Sequence, residues 1–283
     1  MQKNLTAKQL AETARRLRKV VLEMCIARGG HLASSFSCLE ILVTLYHGGV
    51  LRFDPRRPDW PARDRFVLSK GHAEAAYYAV LADLGFFPSF WLEKHYRRGE
   101  CRLGGHPDHR LPGVEVSTGA LGHGLGLAVG MAMAAKAERV ARRQFVLMGD
   151  AECTEGAVWE AALLAARREL DNLVAIIDRN RIGSIDYTEN YTRLEPFKDK
   201  WQAFGWQVEQ CDGHDPSQLL QKLDSLLESQ NPAPGMLIAN TVKGKGIDFM
   251  EDDPIWHVRP LQDHDLIAAA RRQVEGEPLH GDA

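Results

Sequence analysis

Asp150 and Asn180 carry the chemistry most easily read from this chain. Each closes a short apolar run, Phe145-Val146-Leu147-Met148 and Leu173-Val174-Ala175-Ile176-Ile177, of the kind that forms a buried parallel strand. Between them, residues 156–170 are rich in Ala, Leu, Glu and Arg and read as a helix opened by Thr154 and Glu155. Strand, helix, strand puts the two strands parallel, with Asp150 and Asn180 together at their C-terminal edge, where open α/β sheets bind ligands. A carboxylate, a side-chain amide and a nearby backbone carbonyl are hard oxygen donors suited to Mg²⁺ or Ca²⁺. Two side chains do not fill an octahedral shell, and Mg²⁺ completes it with waters and substrate phosphates. Taken singly, Asp150 as a helix cap and Asn180 as a turn residue account for the same pattern.

Four histidines sit beside Gly or Trp in expected loops: His31, His72, His106 and His257. Imidazoles titrate near neutral pH, so such a group can donate, accept and pass protons. One loop histidine is ordinarily solvated or structural; four at strand-edge loops ask for a shared purpose. The segment Gly119-Ala120-Leu121-Gly122-His123-Gly124 opens a small-residue helix running to about residue 136, and glycines at a helix start let backbone N–H groups approach an anion.

The elements that position these residues follow from the same pattern. Thr6 is an expected N-cap, and Leu10, Leu17, Val20, Val21 and Met24 form a helical stripe ending at Gly29-Gly30. Residues 30–35 read as a loop of small residues, and 38–46 as a helix. Residues 54–64 read as an exposed connection, 65–69 as a strand ending in Lys70-Gly71-His72, and 74–84 as a helix. Residues 99–113 are polar and turn-rich. Strands are expected at 206–211 and 236–241, with a helix between them capped by Asp215 and opened by Pro216.

The chain has 283 residues, enough to bury a large core, and a net charge near −3 without a basic tract, which gives no sign of a nucleic-acid protein. No apolar run is long enough for a membrane span, and the charged N-terminal helix does not read as a signal peptide. Five cysteines, Cys25, Cys38, Cys101, Cys153 and Cys211, include no C-x-x-C pair and read as reduced thiols of a cytoplasmic protein.

Gly149-Asp150-Ala151-Glu152, Glu155-Gly156, Trp159-Glu160-Ala161-Ala162, Asn172-Leu173 and Asp178-x-Asn180-x-Ile182 together resemble the thiamine diphosphate fingerprint of transketolases. The loops extend it with Gly30-His31-x-x-Ser34, Ser69-Lys70-Gly71-His72, Gly105-His106-Pro107, Gly119-x-Leu121-Gly122, Lys243-Gly244-x-Gly246 and Trp256-His257. The resemblance spans about residues 10–262. Three positions depart from the family's usual residues: Ala151 stands for Gly, Ala120 for Pro and His123 for Gln.

The resemblance implies a mostly parallel α/β sheet flanked by helices on both faces, the diphosphate-binding domain over residues 1–262, with 263–283 a terminal helix and tail. It implies thiamine diphosphate lined by Ser34, His72, Gly119, Leu121, Gly122, Gly149, Asp150, Ala151, Glu152, Asn180, Lys243 and His257. Asp150, Asn180 and the carbonyl of Ile182 would hold the Mg²⁺ or Ca²⁺. His31, His72, His106 and His257 would bond ketose hydroxyls and shuttle protons, and Glu155 would meet a partner glutamate that activates the cofactor's pyrimidine. The implied reaction is reversible transfer of a two-carbon ketol unit from a ketose (phosphate) to an aldose (phosphate), as in pentose phosphate metabolism. The family's pyrimidine-binding domain has no counterpart here, so the expectation is the N-terminal subunit of a split enzyme. Its partner would be a C-terminal transketolase subunit carrying the pyrimidine-binding domain, in a heterotetramer of two copies of each chain. Two alternatives stand beside it: a subunit of another thiamine diphosphate carboligase in a specialised pathway, and a non-catalytic scaffold binding cofactor or partner.

Overall fold

Apolar runs bounded by turns become five parallel strands in the order β1-β2-β3-β5-β4. They are β1 (Arg65–Leu68), β2 (Gln144–Gly149), β3 (Leu173–Arg179), β4 (Gln207–Asp212) and β5 (Gly235–Asn240) in a computed structural model that describes residues 4–99 and 103–276. The helices are α1 (Ala7–Arg28), α2 (Leu32–Ser37), α3 (Leu39–His47), α4 (Glu74–Asp83), α5 (Phe90–Lys94), α6 (Gly124–Ala137) and α7 (Gly156–Arg167), then α8 (Thr188–Tyr191), α9 (Phe197–Ala203), α10 (Pro216–Leu227) and α11 (His264–Glu275).

The central strands read as unbroken apolar runs because both faces are covered. Phe145, Leu147, Val174, Ile176 and Leu237 point into one core with α1, α3, α4 and α10. Val146, Met148, Ala175, Ile177, Met236 and Ile238 point into the other, with α6, α7 and α9. In the second core Trp201 is fully buried, its ring 4.9 Å from Trp159 and 5.3 Å from Trp206. The register pairs Gly149 with Asp178 and Arg179 with Asn240, so the ends of β2, β3 and β5 lie level at one edge.

Most expected elements form near their expected limits. The Thr6 side chain accepts from Gln9 N while Gln9 reaches back to Thr6 N, a reciprocal cap that starts α1. Asp215 caps α10 with Pro216 in its first turn. Two expectations need correction. Residues 32–35, read as loop, belong to the wholly buried helix α2, whose backbone must satisfy its own polar groups where water is excluded. Residues 54–64 are not exposed throughout: Arg63 and Asp64 are buried, Asp64 accepting from Arg52 N and Arg143 N. The terminal helix α11 packs on α1 through Ala270 and Val274. Cys25, Cys38, Cys153 and Cys211 are buried free thiols, and Cys101 lies outside the described residues.

Candidate functional site

Every strand-edge loop that the sequence marked reaches the same end of the sheet. Asp150 follows β2, Asn180 follows β3, Gly71-His72 follows β1 and Lys243 follows β5. Three of the four histidines form one cluster: the ring centroids of His31 and His72 are 5.2 Å apart, His31 and His257 5.8 Å, and His72 and His257 5.6 Å. His106 stands outside this trio, exposed, with its Cδ2 against Gly71 and Gly119.

Burial pushes His31 down to about 4 and His257 down to about 3, helped in both by Lys243 and Lys70. His72 is held well below its ordinary value by burial and then by the same two lysines, and His106 is lowered by burial and Arg97. At neutral pH the cluster is therefore a set of neutral imidazoles, each able to donate from one nitrogen and accept at the other.

Asn180 turns its amide nitrogen inward, donating to Asp178 Oδ2 at 3.0 Å and Ser37 Oγ at 3.3 Å. Its oxygen accepts from Ile182 N at 3.2 Å. Asp150 is fully buried; Oδ1 accepts from Ala151 N at 2.7 Å, and Oδ2 from Arg181 N at 2.6 Å and Arg179 Nη1 at 2.9 Å. The Ile182 carbonyl accepts from Lys243 Nζ at 3.2 Å, so that oxygen already faces a cation. A carboxylate, an amide oxygen and a carbonyl at one edge are a donor set that fits Mg²⁺ or Ca²⁺.

The same edge fits a diphosphate. Lys243 is buried and makes no ion pair among the described residues; its Nζ lies 2.7 Å from His257 Nδ1, and burial pushes it down to about 7. An anion bound there would favour its charged form. Ser34 Oγ and His31 Nδ1 are buried without a partner among the described residues, two polar atoms left for a ligand. Gly122 has φ +87°, and a Cβ there would lie 2.6 Å from Glu155 Cβ, so no other residue lets the chain pass this close to α7. Gly119 and Leu121 are half-buried beside it, and Ala151 is half-buried at the end of β2. Glu152 faces inward: it accepts from Gly122 N at 2.9 Å, Gly149 N at 3.1 Å and the Ser69 hydroxyl, tying the start of α6 to the end of β2. Glu155 caps α7 by position with an exposed side chain that makes no cap hydrogen bond.

Sequence reasoning missed the groups that fix these residues. Lys70 is fully buried and paired with Asp178, and it donates to Ser34 O at 3.2 Å. Burial raises the Asp178 carboxyl, but Lys70, Ser37 and Thr241 outweigh it and hold it below its ordinary value. Arg179 joins Asp150 to Glu189 at 3.1 Å and Glu195 at 2.9 Å. Lys70 and Asp178 both lay inside quoted motifs, but their pairing spans the sheet and leaves no mark in local spacing.

The sequence matches the family described as "Transketolase, thiamine diphosphate binding domain" over residues 6–280. It is 43% identical over 257 residues to one subunit of the apulose-4-phosphate transketolase of Actinobacillus succinogenes, covering 90% of this chain and 92% of that one. It is 39% identical over 270 residues to a subunit of the 6-deoxy-6-sulfo-D-fructose transketolase of a Clostridium species, covering 95% and 97%. Among solved structures, the transketolase of Campylobacter jejuni superposes with a TM-score of 0.89 at 32% identity over 97% of this chain. The chain spans 44% of the length of that enzyme.

Proposed function

The chain belongs to the transketolase family, in its thiamine diphosphate-binding domain, and on that premise we propose that it is the diphosphate-binding subunit of a two-chain ketol transferase. The observation that carries the reading is the neutral histidine trio beside the Asp150–Asn180–Ile182 oxygen edge. Bound there, thiamine diphosphate would supply the nucleophilic thiazolium carbon that carries the two-carbon unit.

Asp150, Asn180 and the Ile182 carbonyl would hold the Mg²⁺, and Lys243, His257, Ser34 and the Gly119–Gly122 backbone would hold the diphosphate. His31, His72 and His257 are close enough to bind neighbouring hydroxyls of one ketose, and as neutral imidazoles they accept a proton from one and return it to another. His106 closes the substrate side. Glu155, exposed at the start of α7, reaches a glutamate of the partner chain. Two relatives are named for subunits of transketolases acting on apulose 4-phosphate and 6-deoxy-6-sulfo-D-fructose, and their names favour a specialised ketose donor here.

The test combines this chain with a pyrimidine-domain subunit, thiamine diphosphate and Mg²⁺. Two-carbon transfer from apulose 4-phosphate, 6-deoxy-6-sulfo-D-fructose or D-fructose 6-phosphate to an aldose is expected for at least one donor. Absence of transfer from all three, in a complex that binds the cofactor, rejects the reading.

A further inference from the structure

Glu74 opens α4 behind the histidine trio, with its side chain wholly buried. Tyr96 Oη donates to Glu74 Oε1 at 2.8 Å, and Arg97 Nη1 lies 3.5 Å from the same oxygen. Glu74 Oε2 has no partner among the described residues. A carboxyl group so placed is costly, since one long contact to a cation does little against complete desolvation. Burial accordingly pushes it up to about 8, with Tyr96 and Arg97 only partly opposing. The packing around it gives no reason for the group: Ala73, Ala75 and Ala76 are buried hydrophobics of the same turn.

Arg97 gives the reason. Its backbone is left-handed, φ 49°, pinned by donation from Arg97 N to Leu103 O at 2.8 Å. That conformation disfavours a long side chain and persists where surroundings impose it. The guanidinium is one-third exposed and lies between the two loops that carry His31 and His106. A Cβ on Gly30 would come within 3.4 Å of Arg97 Nη1, and one on Gly105 within 3.2 Å of Nη2. Gly105 has no left-handed backbone to explain it, so the close approach of the guanidinium does. Among the described residues the guanidinium hydrogen-bonds Glu74 and Tyr96 and no backbone carbonyl. It is a held cation, flanked by two site histidines whose protonation it disfavours.

We propose that Arg97 is a specificity-determining residue that donates from its guanidinium to oxygen atoms of the donor ketose between the His31 and His106 loops, with Glu74 and Tyr96 as its positioning residues. This rests on the ketol-transfer reading. A planar, five-donor head suits a chain of hydroxyl and carbonyl oxygens, and its partial exposure leaves N–H groups for a ligand.

The experiment uses the assembled two-chain enzyme, saturated with thiamine diphosphate and Mg²⁺, and D-fructose 6-phosphate and apulose 4-phosphate as donors. Arg97→Met is expected to raise the donor KM about tenfold or more, the scale of a lost charge-assisted hydrogen bond. Its kcat should stay within about threefold and its cofactor affinity within about twofold, a split that general loosening of the fold would not give. Arg97→Lys should recover part of the loss, and Glu74→Gln should raise the same KM by a smaller factor. An unchanged donor KM in Arg97→Met overturns the proposal, as does loss of cofactor affinity in parallel with KM. Should the Met variant fail to fold, Arg97→Lys decides: wild-type KM with both donors rejects the role. Where 6-deoxy-6-sulfo-D-fructose is the donor used in place of these two, the same KM comparison is made with it; inactivity on all three ketoses overturns the ketol-transfer reading, and this proposal with it.

Discussion

Two kinds of residue make this site, and only one kind is visible in the sequence. Asp150, Asn180 and the histidines stand out because loop chemistry is local: each lies beside a glycine, a strand end or another polar group. Lys70 with Asp178, and Arg179 with its three carboxylates, are invisible because their partners are joined by the fold alone. These hidden partners orient the visible ones, since Asn180 shows its oxygen outward only while Asp178 holds its nitrogen. Asp150→Ala should therefore abolish Mg²⁺-dependent cofactor binding and also leave the buried Arg179 with two of its three carboxylates, lowering stability. Calorimetry of thiamine diphosphate binding and a thermal melt measure the two losses, and unchanged affinity would remove Asp150 from the metal set. The depressed histidines predict a pH response. His31 and His257 protonate near pH 4 and pH 3 when folded, but near the ordinary value of about 6.5 when unfolded. The unfolded chain binds more protons in that window, so stability falls as pH drops from about 6.5 toward 4. A His31→Gln, His257→Gln double variant should show a shallower decline in melting temperature over the same range.

At the scale of elements, the sheet was legible and the connections less so. A strand covered on both faces appears as an unbroken apolar run, which is why β2, β3 and β5 were placed almost to the residue. The helix α2 was not, because its three serines are weaker helix formers than its Leu and Ala, and it is burial against α1 and α4 that favours the helix. The same reasoning explains α9, whose buried Trp201 seals the second core. Trp201→Ala should destabilise the chain by about 3–5 kcal/mol, read by denaturant unfolding, because the ring packs against Trp159 and Trp206 with nothing free to replace it. The paired helices α6 and α7 behave differently. They cover the sheet on one side but leave Leu127, Leu163 and Leu164 exposed on the other, next to bare Gly126 and Gly130. An apolar, close-approach face beside a cofactor edge is where the partner chain is expected to dock. Leu163→Glu should leave the melting temperature of the isolated chain almost unchanged while weakening partner affinity about tenfold or more, as measured by analytical ultracentrifugation. Equal affinity in the variant would move the interface elsewhere.

The whole molecule supplies one end of a cofactor site. The residues proposed for the metal, the diphosphate and the sugar converge on one sheet edge, carried by the segments after β1, β2, β3 and β5, by the start of α2 and by the turn before α6. Segments that lead from that edge turn apolar side chains to solvent: Ile185 in the stretch after β3, and Ile255 and Val258 on either side of Trp256-His257. Apolar residues placed so close to a polar site are poorly suited to face water permanently. Glu155 is exposed at the start of α7, its stem against Gly122 and its carboxylate free of any cap bond. A carboxylate so unengaged is suited to meet a second carboxyl group, sharing a proton across an interface. The purified chain should therefore bind metal and cofactor weakly and show no ketol transfer by itself, while the mixed assembly turns over. Glu155→Gln should assemble with the partner as the wild type does, bind cofactor at near-wild-type affinity and lose about 10²-fold in kcat, the scale of a missing proton-transfer group. A variant that fails to assemble would make Glu155 an interface residue only, and one with near-normal kcat would show that the partner's glutamate works without it.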